Sequence, residues 1–265
     1  MGKLEGSVAI VTGAARGNGE GAARVMAREG AIVILTDVLD SVKEITRSIS
    51  DGGNTAISFE MDVTQADQVN EVVRKVLGNY GKVDILVNNA GICRLTRLID
   101  MTEEIWNLHF NVNIKGMFLC AKAVLQGMIE RRYGKIVNIS SVTGPIVADP
   151  GEVAYAATKG AVWGFTKALA IEVAPYEINV NAVCPGYIET PMVWGTARET
   201  NPVDPASVVR GIANTIPLGR MGTTEEIGEL VTFLASNESK YITGTTIVID
   251  GGSTLPETTI VSPSV

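Results

Sequence analysis

Short runs of branched aliphatic residues recur along the chain, separated by longer stretches whose apolar positions return every three or four residues. The runs, at 7–12, 31–36, 55–59, 84–88, 135–140, 179–184 and 245–250, have the length and composition of strands buried on both faces. The first helical pattern carries Ala22, Ala23, Val25, Met26 and Ala27 on one side and stops at Gly30. Others lie at 65–78, 102–128, 154–174 and 224–235. Aliphatic strands alternating with amphipathic helices predict an α/β fold: a doubly wound parallel sheet covered on both faces, in three αβα layers. The segment 190–217 breaks the alternation. It mixes prolines, Trp194 and charged residues between two regular elements and reads as a lid.

The junctions between these elements carry the chemistry. The first strand runs into Thr12-Gly13-Ala14-Ala15-Arg16-Gly17-Asn18-Gly19, and a helix starts there. Glycines allow a tight turn and close backbone approach, and a helix N-terminus attracts pyrophosphate, so the unit reads as a dinucleotide cradle. The Gly-x-x-x-Gly-x-Gly spacing differs from the commoner Gly-x-Gly-x-x-Gly, and the absence of a following Gly-Lys-Ser/Thr excludes a Walker A loop. The second strand ends at Asp37. A carboxylate there can accept both adenosine ribose hydroxyls and repels a 2′-phosphate, which favours NAD(H) over NADP(H). Arg16 points the other way, since it could pair with that phosphate.

Tyr155 and Lys159 lie four residues apart in a predicted helix and therefore share a face. A cation beside a phenol is expected to stabilise the phenolate and lower its pKa toward the range of useful proton exchange with an alcohol or carbonyl. Tyr-x-x-x-Lys alone also describes many surface helices. Ser141 ends the strand before that helix, and its hydroxyl could donate to a substrate oxygen or simply cap a turn.

Thr12 to Gly19, Asn88-Asn89-Ala90-Gly91, Asn113-Ile114-Lys115-Gly116, Ser141, Tyr155-x-x-x-Lys159 and Pro185-Gly186 with Thr190 together resemble the single-domain short-chain dehydrogenase/reductases in order and spacing. The resemblance covers essentially the whole chain, residues 1–265, as one Rossmann-fold domain. Segments 148–152 and 249–258 look like the UcpA-type subgroup of bacterial oxidoreductases. The resemblance implies that Tyr155 exchanges a proton with the substrate and that Ser141 polarises its carbonyl. Lys159 would stabilise the tyrosinate and bind the nicotinamide ribose, and Asn113 would hold a water linking Lys159 to solvent. It places NAD against Gly13, Arg16, Gly17, Asn18, Gly19, Asp37, Asn89, Ala90 and Gly91. Asp62 and Val63 would meet adenine, although Asp62 also suits a helix cap. Pro185, Gly186, Ile188 and Thr190 would close over the nicotinamide. Asn18 departs from the aliphatic residue common at its position.

The substrate end should be walled by Cys93, Arg94 and Leu95, by 142–152, by Tyr187, and by Met192 and Trp194 of the lid. Arg94 could anchor a carboxylate or phosphate and Glu152 could hold hydroxyls, or both could be solvated. The expected substrate is a small polyol, sugar or hydroxy acid. A 3-oxoacyl carrier-protein reductase and a non-catalytic NAD-sensing module are the alternatives. The first is disfavoured by Asp37 and by the net charge of −7, and the second has no need to keep the catalytic set together.

Other classes fit poorly. There is no basic stripe for nucleic acid, no membrane-spanning apolar run and no room before the first strand for a signal peptide. One histidine, His109, placed in a helix, and three scattered cysteines give little support to a metal site and suit a reduced, cytoplasmic protein. Apolar residues on more than one face of the helices at 102–128 and 154–174 predict subunit contacts, and the resemblance implies a homotetramer. The tail 253–265 is expected to lie against a neighbouring subunit near the active-site rim.

Overall fold

A computed structural model describes residues 2–256. Seven strands form one parallel sheet in the order β3-β2-β1-β4-β5-β6-β7. They are β1 Val8–Thr12, β2 Ile32–Asp37, β3 Ala56–Glu60, β4 Ile85–Asn88, β5 Gly134–Ile139, β6 Ile178–Pro185 and β7 Thr246–Ile249. The helices are α1 Gly17–Arg28, α2 Val42–Asp51, α3 Ala66–Tyr80, α4 Glu103–Phe110, α5 Gly116–Arg131, α6 Val153–Val173, α7 Pro191–Thr200, α8 Pro205–Thr215 and α9 Thr224–Ala235.

The strand pleat builds two cores. Ala9 and Val11 of β1 face one way, into a core shared with α1, α2 and α9. Val8 and Ile10 face the other, into a core shared with α3, α5 and α6. Glycines bring α1 and α9 close together: a Cβ on Gly21 would sit 2.1 Å from the Thr224 carbonyl oxygen. Because the central strands are covered on both faces, the strands carry largely apolar runs, and all seven were legible in the sequence.

Three helices carry weaker sequence signals. In α2, only Val42 and Ile49 are fully buried, with Ile45 partly so, and the rest of its surface is solvated. The segment expected as an irregular lid folds into α7 and α8, and their starts follow known chemistry. Pro191 follows Thr190 and Pro205 follows Asp204, with the Asp204 side chain accepting the Ser207 N–H at 3.0 Å.

The helix expected over 102–128 is interrupted. Between α4 and α5, Asn111–Lys115 forms a π-helical turn in which the Gly116 N–H donates to the Asn111 carbonyl. Such turns shift the register of the following helix and are common at functional sites. The run Glu103–Arg131 reaches the length and hydropathy of a membrane span, but it is laid on the sheet beside α3 and α6.

Candidate active site

The chain crosses from β3 at one edge of the sheet to β4 beside β1, so the loops after β1 and β4 diverge and leave a crevice at the carboxyl ends of the strands. A cleft of about 2100 Å³ occupies it.

One half of the cleft is built by the turn after β1. Gly13 and Gly17 have φ of +64° and +62°, in the left-handed region. A Cβ on Gly13 would lie 2.8 Å from the Ala90 Cα, and one on Gly19 would lie 2.2 Å from the Gly13 carbonyl oxygen. Gly19 therefore does not line the cleft; it lets the first turn of α1 pack against the loop. Asn89 locks the two loops together, its Nδ2 donating to the Thr12 and Gly13 carbonyls at 3.0 and 2.9 Å. The Thr12 hydroxyl accepts the N–H groups of Asn89 and Ala90 at 3.0 and 3.1 Å.

Asp37 is buried at the end of β2, its carboxylate accepting the Ala15 N–H at 3.0 Å and the Leu39 N–H at 3.0 Å. These bonds fix it against the glycine-rich turn. Asp62 forms a tight turn ahead of α3, accepting the Thr64 N–H at 2.9 Å, and lines the cleft with Val63. Arg16 is exposed on the rim, with no carboxylate in ion-pair range among the described residues.

This half fits a nicotinamide dinucleotide on its own geometry. The turn is close-packed where glycine is required, and it opens onto the N-terminus of α1. It also holds the buried Asn18 Oδ1, which has no hydrogen-bond partner among the described residues.

In the other half, Tyr155 and Lys159 project from one face of α6, with the Lys159 Nζ 5.5 Å from the centre of the Tyr155 ring. Lys159 is buried, and its Nζ donates to the Ile139 carbonyl at 2.8 Å. Burial pulls the ammonium down to about 8. The Tyr155 phenol departs from expectation. Burial pushes it above its ordinary value, and the nearby Ser141 hydroxyl opposes that shift. The expected lowering by Lys159 is not among the causes of the shift: its ammonium is engaged by the Ile139 carbonyl, and loss of water around the phenol dominates.

Ser141 lies just beyond β5, where its Oγ accepts the Thr143 N–H at 3.1 Å, and it borders the cleft beside Tyr155. Asn113 sits in the π-helical turn, behind the cleft wall and not in it. Its amide is a brace: Oδ1 accepts the Ile92 N–H at 2.8 Å, and Nδ2 donates to the Ile92 carbonyl and to the Thr158 hydroxyl, each at 3.0 Å. A Cβ on Gly91 would lie 3.4 Å from that Oδ1 and 3.7 Å from the Lys159 Nζ, so Asn113 and Lys159 border the same space.

Pro185, Gly186, Tyr187, Ile188 and Thr190 line the far side. Gly186 is required there, because a Cβ would lie 2.6 Å from the Asp250 Cβ. Arg94, Glu152 and Tyr187 all reach the cleft. Burial raises the Glu152 carboxyl and the Tyr187 phenol above their usual values. Trp194 does not reach the cleft. Its indole N–H donates to Glu189 Oε1 at 3.3 Å, while Val193, Gly195 and Thr196 of α7 face inward.

Sequence reading missed the tail's contribution to this chain's own cleft. Asp250 accepts four bonds, from the N–H groups of Gly252 and Thr254 and the hydroxyls of Ser253 and Thr254, at 2.8 to 3.2 Å. The resulting turn places Ser253 and Thr254 in the wall. An Asp followed by Gly-Gly-Ser-Thr is a turn signal that could have found it. Most of the expected subunit-contacting tail, residues 257–265, lies outside the described residues.

A cofactor cradle at the strand switch point and a Ser-Tyr-Lys constellation across the same cleft define a dinucleotide-linked oxidoreductase site. The chain belongs to the short-chain dehydrogenase/reductase family: the family model described as Enoyl-(Acyl carrier protein) reductase matches residues 13–254. It is 51% identical over 257 residues to Oxidoreductase UcpA of Salmonella typhimurium strain LT2, covering 97% of this chain and 98% of that one. It is 44% identical over 254 residues to the 3-oxoacyl-[acyl-carrier-protein] reductase FabG of Thermotoga maritima, covering 94% and 98%. Among solved structures, the aldohexose dehydrogenase of Thermoplasma acidophilum superimposes with a TM-score of 0.88 at 34% identity, covering 98% of both chains. The chain is thus an oxidoreductase of this family.

Proposed function

We propose that this protein is an NAD(H)-dependent dehydrogenase or reductase acting at the alcohol or carbonyl carbon of a small polar substrate. The observation that carries the reading is the convergence of Ser141, Tyr155 and Lys159 on the cleft that the glycine-rich turn opens. A bound nicotinamide supplies the hydride acceptor or donor. Gly13, Gly17, Asn18 and the 89–91 loop hold its dinucleotide, with Asp37 at the adenosine ribose and Asp62 and Val63 at adenine. Tyr155 gives a proton to the substrate oxygen in reduction and takes it in oxidation. The raised phenol pKa keeps Tyr155 protonated, so a proton is in place for reduction though held more tightly; Lys159 as a cation favours its release. Ser141 donates a hydrogen bond to the same oxygen and polarises it. Glu152 stands three residues before Tyr155 at the start of α6, and with Tyr187 it offers hydrogen bonds to further substrate hydroxyls.

Asp37 supports NAD(H), since a 2′-phosphate would meet a carboxylate fixed in place by two backbone bonds. The similarity to 3-oxoacyl carrier-protein reductases favours a second reading, reduction of a 3-oxoacyl thioester with NADPH, and exposed Arg16 would serve it. A homotetramer is part of the first reading. Phe118 of α5 and Ile171 of α6 are 44% and 78% exposed, and the edge strand β7 exposes Val248, which is more apolar surface than an isolated chain needs. A cytoplasmic setting accords with three cysteines that form no disulfide.

A screen of polyols, aldoses, hydroxy acids and their carbonyl forms, with both cofactors, tests this function. The expected result is turnover with kcat/KM higher for NAD(H). Equal or better use of NADP(H), or turnover confined to acyl thioesters, contradicts it.

A further inference from the structure

Residues 89–97, between β4 and a short 3-10 turn at Leu98–Asp100, cross the substrate end of the cleft without regular structure, so their polar groups need partners from outside the segment. Alternate residues find them. The Ile92 N–H donates to Asn113 Oδ1 at 2.8 Å, the Arg94 N–H to His109 Nε2 at 3.1 Å, and the Thr96 N–H to the Gly151 carbonyl at 2.9 Å. Between these pins, Cys93 and Leu95 line the cleft.

His109, the only histidine of the chain, is the middle pin. It is 0% exposed, in the last turn of α4. Its Nδ1 lies 2.8 Å from the Ile105 carbonyl. A carbonyl only accepts, so Nδ1 carries the proton and Nε2 offers a lone pair to Arg94. Both ring nitrogens are therefore committed, one to its own helix and one to the substrate wall. An aliphatic side chain would fill the same space and leave the Arg94 N–H without a partner.

We propose that His109 is a positioning residue that fixes the 92–96 wall and thereby sets substrate fit without acting on the cofactor. The proposal rests on the oxidoreductase reading for its functional consequence, but not for its structural one. His109 lies just before the π-helical turn and Asn113 within it, and they hold residues two apart in the wall, so one helical segment carries both the brace nearest Lys159 and the pin of the substrate pocket.

The test compares the full-length protein with His109→Gln and His109→Leu. Gln can present an amide oxygen near the Nε2 position; Leu cannot. Deuterium exchange of the 90–98 peptide should accelerate about tenfold in His109→Leu, the order expected for one lost hydrogen bond to a buried donor. Exchange elsewhere and NADH affinity by fluorescence titration should stay within twofold of wild type. His109→Gln should restore most of the protection. With the best substrate from the screen, His109→Leu should raise KM several-fold more than it lowers kcat. Unchanged exchange at 90–98 in His109→Leu, a uniform rise across all peptides, or no rescue by Gln overturns the proposal. The exchange and NADH arms decide it even if the screen finds no substrate and the proposed activity fails.

Discussion

Gly13 and Gly17 allow the cradle to be tested with one change made at two places. Both have positive φ, +64° and +62°, so an alanine at either pays the left-handed penalty of roughly 1–2 kcal/mol. Their surroundings differ. A Cβ at 17 meets only the Thr190 side chain at 3.5 Å, an ordinary contact, whereas a Cβ at 13 lies 2.8 Å from the Ala90 Cα. That second contact involves backbone, which yields only if the 89–91 loop moves, and overpacking of this kind costs about 1–3 kcal/mol more. Gly13→Ala should therefore lose about 2–5 kcal/mol in all and Gly17→Ala about 1–2 kcal/mol. At roughly 2–4 °C per kcal/mol for a domain of this size, the melting temperatures of the two variants should be separable. Urea unfolding gives the stabilities and NADH fluorescence titration gives the affinities. Moving the 89–91 loop away from the turn should weaken NADH binding about tenfold or more in Gly13→Ala, since a shift worth about 1.4 kcal/mol is tenfold. If Gly13→Ala is no less stable than Gly17→Ala and binds NADH normally, the loops are not locked as described.

Replacing Asp37 with Ser should narrow the NAD-over-NADP preference in kcat/KM, because the carboxylate that opposes a 2′-phosphate is gone; an unchanged ratio would assign the preference elsewhere. Burial pulls Lys135 down to about 8, with Asn179 Oδ1 at 2.7 Å as its hydrogen-bond partner. Between that value and the ordinary lysine range the unfolded chain binds the extra proton, so stability relative to Lys135→Met should rise as pH climbs from about 8 toward 10.5, and parallel stability curves would refute the burial argument. Light scattering should find an oligomer at micromolar concentration; a monomer would leave the exposed Phe118 and Ile171 unexplained.

The sheet was readable because its central strands are buried on both faces and so carry apolar runs, and the part-buried edge strands β3 and β7 still hold short β-branched and aromatic stretches. The cradle was readable because its glycines are demanded by φ and by close approach, at Gly13 and Gly19 above all. Helices α7 and α8 were not, since they bury one residue and none; α2 carries only a short stripe, Val42, Ile45 and Ile49, set among solvated residues, and the sequence reading missed it. Trp194 was misplaced because a sequence does not say which way a lid residue turns, and here Glu189 draws the indole out of the cleft. The direction of the Tyr155 shift was misjudged for a related reason. Spacing put a cation beside the phenol, but the depth of burial and the bond from Lys159 to Ile139 belong to tertiary structure. The bond from His109 to the Arg94 N–H spans 15 residues and leaves no pattern in sequence.

The central claim is that Tyr155 acts on the substrate from a cleft whose cofactor half is independent of its hydroxyl. Tyr155→Phe measures this most directly, with single-turnover kinetics on the best substrate and NADH titration on the same preparation. The account predicts a rate loss of about 10²–10⁴ with NADH affinity unchanged. A variant that keeps more than about a hundredth of the wild-type rate, or loses NADH binding along with turnover, contradicts it.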